Sequence, residues 1–178
     1  MDADDAYPDG RRPGGIGAPT RARCIVVPQD FRPTSARVAS GVLFRDRNAH
    51  ILLVKPVYKR GWDLPGGYVE PAESPRQAAM REVAEELGIT AAVGRLLVVD
   101  WAPHPDEGDK LLFVFDGGVL DETALDSATL QAAEIAELRF AADGELPELL
   151  PERLLRRIRS AMSEPGDPYL EYGLTVTD

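Results

Sequence analysis

GYVEPAESPRQAAMREVAEELGI, residues 67–89, is the stretch on which the reading of this 178-residue chain turns. Its fixed points are Gly67, Glu73 after five intervening residues, Arg81 and Glu82 after seven more, the apolar Val83, Glu85, Glu86, Gly88 and the apolar Ile89. Each of these residue types makes up about 5 to 7% of average sequences, so a chance meeting of all these positions has a probability far below about one in a million.

The segment carries its own folding instructions. Ser74 offers a hydroxyl cap, Pro75 fits the first helical position, and Gln77 completes a capping box. Good helix formers follow; Met80, Val83, Ala84 and Leu87 recur at the spacing of a buried stripe, and Gly88 stands where a left-handed cap ends a helix. The pattern predicts a helix from Pro75 to Leu87.

On that helix Glu82 and Glu86 lie one turn apart with Glu85 between them, so three carboxylates share a face and repel one another. A solvated acidic face and a cation site both answer that repulsion, and the EVAEE string alone divides evenly between them. Carboxylate oxygens are the ligands of hard divalent cations, and Mg²⁺ draws its remaining ligands from water and substrate phosphates. The residues around the string tip the reading toward Mg²⁺, with Mn²⁺ as a substitute. Just upstream, WDLPGG (62–67) closes an apolar piece with two glycines, where the backbone bends and a carbonyl can approach a metal. Arg81 can pair with Glu73, locking loop to helix and orienting Glu82.

Taken together, the WDLPGG lead and the 67–89 segment resemble the Nudix hydrolase family, whose box they match at every defined position. The resemblance covers roughly residues 37–162, and beyond those motifs it rests on the pattern of elements. It implies an α/β fold, a mixed β-sheet sandwiched between helices (α/β/α). It implies attack of water on a nucleoside diphosphate linked to a further group. Glu82 and Glu86 become the principal metal ligands, Glu85 a direct or water-mediated one, and the carbonyl of Gly66 or Gly67 another. Arg81 and Glu73 take supporting roles. The general base is either a box glutamate or a carboxylate on a later loop, with Glu134 the first such candidate and Glu107 the second; surface acid is the plainer reading of both. Family members often place glycine where this chain has Ala72, and Pro75 at the helix start is a second departure.

Composition bounds the rest. A 44% hydrophobic chain of this length buries one core, and no apolar run reaches the length of a membrane span. The acidic start MDADDAYPDG is unlike a secretory leader, so the cytoplasm is the expected address. The single Cys24 forms no intramolecular disulfide and reads as a bystander. Residues 1–37 carry six arginines against five aspartates; with a total of −10, the remainder holds −11. Such an acidic body disfavours nucleic acid and anionic membrane as partners, and leaves a small nucleotide carried by Mg²⁺.

Residues 1–36, rich in Pro, Gly, Asp and Arg, read as a flexible or disordered segment in which the CIVV piece could add an edge strand; its PGGIGAP lacks the strand and GK[ST] of a phosphate loop. The catalytic domain then spans 37–163. VASGVLF and ILLVKPV around DRNAH predict a hairpin, and AVGRLLVVDWA and KLLFVFDGGVL two further strands. EIAELRF fits helix or strand, and LPELLPERLLRRIRSAM a helix with apolar positions 154, 155, 158 and 162. The tail, 164–178, alternates polar and aromatic residues as an edge strand or homodimer segment would.

For substrate contacts, Lys55, Lys59 and Arg60 are candidates to hold phosphates, and Trp62, Tyr68 or Trp101 to stack on a base; solvated lysines and core aromatics are the plainer alternatives. The two histidines, His50 and His104, are not expected to be ligands. Pro103 and Pro105 bracket a proline position of ADP-ribose-cleaving family members. Three functions stay open: a pyrophosphohydrolase of nucleoside triphosphates, oxidised ones included, which leads; the same chemistry on ADP-ribose or a nucleotide sugar; and a binding module that senses a nucleotide without cleaving it.

Overall fold

The computed structural model describes residues 33–120, 125, 128–163 and 168–176. Nearly all of the segment 1–36, with Cys24 and the CIVV piece, lies outside these residues. From Ser35 onward the chain forms one compact unit.

Its strands are β1 (Arg37–Arg45), β2 (Ile51–Pro56), β3 (Gly66–Tyr68), β4 (Leu96–Trp101), β5 (Lys110–Val119), β6 (Ile135–Ala141), β7 (Tyr169–Glu171) and β8 (Leu174–Thr175). The helices are α1 (Pro75–Leu87), α2 (Leu146–Leu149) and α3 (Glu152–Met162). One mixed sheet runs β6-β2-β1-β5-β4-β7-β8, and β3 pairs with the first half of β1. β1 is parallel to β5 and antiparallel to β2, so the expected hairpin is present, as is the antiparallel β4–β5 pair.

β1 and β2 read as unbroken apolar runs because both faces of the sheet are covered. Leu43, Ile51 and Leu53 pack in one core with Leu146, Leu154, Leu155 and Ile158 from α2 and α3. Their neighbours Val42, Phe44, Leu52 and Val54 turn to the other face, into a second core with Ala79, Val83 and Leu87 of α1. Alternate residues of one strand thus supply two cores, and the sheet sits between helices as an α/β/α sandwich.

Three local readings are resolved or corrected. EIAELRF is strand β6, paired antiparallel to β2 from Ile51↔Ala141 to Pro56↔Ile135. The long helix expected over LPELLPERLLRRIRSAM is broken at Pro151, which lacks an N–H and forces Leu150 into extended backbone; the Pro151 carbonyl then starts α3 by accepting from Leu154 and Leu155 at 2.9 and 3.0 Å. The predicted stripe of α1 is rotated by about one position: Met80 and Ala84 are exposed, while Ala78, Ala79, Val83, Glu86 and Leu87 are buried. Packing onto the sheet turns Glu86 inward at the expense of Met80. The caps fall where expected, with the Ser74–Gln77 box formed and Gly88 left-handed at φ 66.

The C-terminal segment adds to the sheet of its own chain. β7 lies parallel to β4, Leu170 is fully buried, and the Gly173 N–H donates to Asp100 at 3.0 Å. Among the described residues no helix is long and apolar enough to cross a membrane.

Candidate active site

β3 and α1 meet through a partly buried hydrogen bond. Glu86 is 5% exposed, and its carboxylate accepts the Gly66 N–H at 2.9 Å. Burial, reinforced by the charges of Glu82, Asp63 and Glu134, pushes the Glu86 pKa up to about 8 against the pull of that bond. Glu82 is also pushed up by burial, opposed by Arg81.

Arg81 is the hub of the remaining acids. Its Nε and Nη2 reach Glu73 at 3.2 and 2.8 Å, and its Nη1 reaches Glu82 and Glu85 at 2.9 Å each. Nη2 also donates to the Tyr68 carbonyl at 3.0 Å, which ties α1 to the end of β3. Arg81 and the Glu70 N–H hold the Glu73 carboxyl below its usual range. The pairing of Arg81 with Glu73 anticipated from spacing is therefore present, and it extends to two of the three box acids.

Backbone leaves no room for a side chain at residue 66, and at residue 67 a side chain would displace Glu82. A Cβ at residue 67 would fall on the Glu82 carboxylate, and one at residue 66, where φ is +143, would strike the Ser40 carbonyl and lie 2.7 Å from Gly41 Cα. Ala72, at the departure from the usual box, has φ +70, the left-handed region that glycine enters without strain.

A divalent cation fits the donors present. Glu86 is a buried carboxylate whose only hydrogen-bond donor among the described residues is a backbone N–H, and no side-chain cation among them neutralises it. The carboxylates whose charge reaches it, Glu82, Asp63 and Glu134, are the hard oxygen donors Mg²⁺ prefers. As the side chains stand, no three His, Cys, Asp or Glu residues converge on an ion position among the described residues. Arg81 occupies Glu82 and Glu85, and both would have to turn from it to share an ion with Glu86.

Beside these acids lies a cleft of about 240 Å³, reaching from Gly66 and Gly67 to Leu154 and Arg157 of α3. Tyr58 and Tyr68, both exposed, line it. So do two ion pairs, Lys59 with Asp63 and Lys110 with Glu107, the latter at 2.8 Å. Lys110 and the Tyr68 hydroxyl, 2.5 Å away, hold the Glu107 pKa down at about 2.

The other residues named from sequence are dispersed. Lys55 pairs with Glu137 across β2 and β6 at 3.4 Å and sits over the Trp62 ring, which is buried in the α3-side core. Arg60 is exposed on the turn after β2. Glu134 is exposed at the start of β6, where it accepts from Gln131 at 3.1 Å and its charge is felt at Glu82 and Glu86. Trp101 is half-buried at the end of β4, the Pro103 carbonyl accepts from Arg153 at 3.0 Å, and His50 and His104 pair with Asp46 and Asp106. Sequence reading missed Tyr58, Asp63, Lys110 and the buried pair of Asp100 with Arg157. One signal was available: the chain has three lysines against seventeen arginines, and two of those three line the cleft.

This fold and this arrangement of acids define a Nudix protein. Residues 35–160 match the NUDIX domain model, and the chain belongs to the Nudix hydrolase family. Among its relatives is a Bacillus subtilis (strain 168) protein named "Putative 8-oxo-dGTP diphosphatase", 34% identical over 117 residues, covering 66% of this chain and 74% of the relative. Another, "Putative mutator protein MutT4" of Mycobacterium tuberculosis, is 32% identical over 152 residues; the match covers 82% of this chain but only about half of the relative, 54%. Among solved structures, a UDP-X diphosphatase superposes with a TM-score of 0.62 at 25% identity, covering 79% of this chain and 69% of that one. The MutT protein of Methanosarcina mazei Go1 superposes with a TM-score of 0.57 at 26% identity, covering 67% and 86%.

Proposed function

We propose that this Nudix hydrolase is a Mg²⁺-dependent pyrophosphohydrolase of a nucleoside diphosphate linked to a further group, with nucleoside triphosphates, oxidised ones included, as the leading substrates. The observation that carries the reading is Glu86, a buried carboxylate that no side-chain cation among the described residues neutralises, within a complete box. The names of the Bacillus and Mycobacterium relatives support the choice of triphosphate. The acidic body supports a free nucleotide over nucleic acid.

Glu82, Glu85, Glu86 and the carbonyl of Gly66 or Gly67 would hold the cation. Bound there, Mg²⁺ or a substituting Mn²⁺ supplies charge neutralisation for the pyrophosphate and Lewis acidity toward water. The chain's own residues do the positioning. Glu73 anchors Arg81, and Arg81 aims Glu82 and Glu85. Glu134 is the better of the two candidates for general base: it is exposed and its charge reaches the box acids, whereas Glu107, held down at about 2, is a weak proton acceptor at neutral pH. Lys59 lines the cleft and is placed to meet a phosphate once released from Asp63; Arg60 follows it on the same turn.

The UDP-X diphosphatase neighbour favours a second reading, a nucleotide sugar as substrate. The deciding experiment is release of phosphate and nucleotide with Mg²⁺ across canonical and oxidised nucleoside triphosphates, ADP-ribose, nucleotide sugars and dinucleoside polyphosphates, with Glu86→Gln as control. Cleavage of one class by wild type alone supports the enzyme and names its substrate. No cleavage of any class, with a ligand still raising Tm, makes the protein a binding module.

A further inference from the structure

Six charged side chains in and under the cleft form three neutral pairs: Lys59 with Asp63, Lys110 with Glu107, and Arg157 with Asp100. A cleft whose charges cancel in this way suits a neutral, hydrogen-bonding group held between apolar walls, here Leu64, Leu112 and Leu154. The third pair is the unusual one. Asp100 is fully buried and Arg157 is 6% exposed, and a buried ion pair seldom adds stability over apolar residues of the same volume. Arg157 gives Nε, at 2.8 Å, and Nη2 to one Asp100 oxygen, while the Gly173 N–H occupies the other. Its Nη1 has no acceptor among the described residues. Arg157 lines both this cleft and a second cavity of about 160 Å³ that shares Asp63, Lys110, Leu112 and Leu154 with it.

We propose that the base of the nucleotide enters this cleft and that Arg157, fixed by Asp100, is a specificity-determining residue that donates to a ring carbonyl, selecting keto bases over amino bases. Because Asp100 cancels its charge, Arg157 offers a donor without net charge, which matches a neutral carbonyl better than a phosphate oxygen. An amino group at the same ring position would set donor against donor and leave both unpaired, the kind of mismatch that discriminates strongly. The proposal takes its substrate from the pyrophosphohydrolase reading; the cleft and its pairs do not depend on it.

The test compares kcat/KM for dGTP against the 2,6-diaminopurine deoxynucleoside triphosphate, and for UTP against CTP. Wild type is expected to favour the keto member of at least one pair by about tenfold or more, and Arg157→Lys, which keeps a cation beside Asp100, to shrink the ratio to about threefold or less. The wild-type ratios decide alone should Arg157→Lys fail to fold. Equal rates within both pairs overturn the proposal. So does a ratio that survives Arg157→Lys while only Tm falls, the behaviour of a purely structural ion pair. Calorimetric binding of the α,β-methylene analogues of the same nucleotides is independent of turnover. A keto preference in Kd without cleavage of the parent compounds would sink the hydrolase reading and sustain this one.

Discussion

Stripped of metal, the protein should become more stable when Glu86 is replaced by glutamine. An exposed glutamate ionises near 4.5, and burial raises Glu86 to about 8 in the fold. Between those values the folded chain keeps a proton that the unfolded chain has released. Stability conferred by the protonated carboxyl is therefore full below about pH 4.5, falls as pH rises, and is gone above about pH 8. The free energy equivalent of the whole interval is about 5 kcal/mol, and at pH 7 about 3 kcal/mol of it has been lost. Water entry and local opening reduce the penalty that reaches the fold, so a measured effect of about 2 kcal/mol at pH 8 is the working figure. Glutamine is isosteric, keeps an oxygen to accept the Gly66 N–H, and carries no charge to bury.

The assay is urea denaturation in EDTA from pH 5 to 9. Wild type should lose stability over that range and Glu86→Gln should not, so that the variant is the more stable protein above pH 7. Saturating Mg²⁺ should restore wild type at pH 8 and leave the variant unmoved, because the cation supplies the missing counter-charge. Turnover of the variant should fall by orders of magnitude. If Glu86→Gln is instead the less stable protein in EDTA at pH 8, Glu86 is compensated in some other way and the metal argument loses its chief support.

Four further outcomes are expected. Ala72→Gly relieves a left-handed φ of +70 and should raise stability by about 1 kcal/mol in denaturant titration, with kcat unchanged; a loss of stability would mean the alanine makes contacts worth more than its strain. Arg81→Ala frees Glu73, Glu82 and Glu85 together and should lower both Tm and kcat, and an effect on only one of them would separate its anchoring from its aiming role. Gly67→Ala places a Cβ on the Glu82 carboxylate and should reduce Mg²⁺ affinity more than it reduces Tm, measured by calorimetry and thermal melting. Lys59→Ala should chiefly raise KM, and an unmoved KM would leave Lys59 as no more than the partner of Asp63.

What could be read from the sequence was whatever local chemistry decides. The Ser74–Gln77 capping box and the Gly88 cap fix α1 within its own residues, and the pairing of Arg81 with Glu73 follows from an eight-residue offset across one loop. β1 and β2 were legible as strands, though their unbroken apolar character left open which residues face which helix; only the packing of α1 on one side and α3 on the other assigns Val42 and Leu43 to different cores. Periodicity misplaced the buried face of α1 because it counts apolar residues. It gave Met80 the inside and could not give Glu86 that place, since a buried carboxylate is unfavourable on every local scale. Tertiary structure placed it there regardless.

The cleft was illegible for a related reason. Its residues come from β1, the β2–β3 turn, β3, the β4–β5 loop, β5 and α3, and each is unremarkable alone: a lysine in a turn, a tyrosine in a short strand, an arginine in a basic helix. Arg157 sits in the run RLLRRIR, where amphipathic spacing puts arginines toward water, and three others of that helix are indeed half-buried or exposed. What singles it out is Asp100, 57 residues earlier on a buried strand. The two departures from local rule are linked by one depression: Arg157 lines it, and Glu86 accepts from Gly66, another of its lining residues. A fold that tolerates both a buried anion and a buried ion pair accepts a stability cost at each, and such costs persist where a ligand later offsets them.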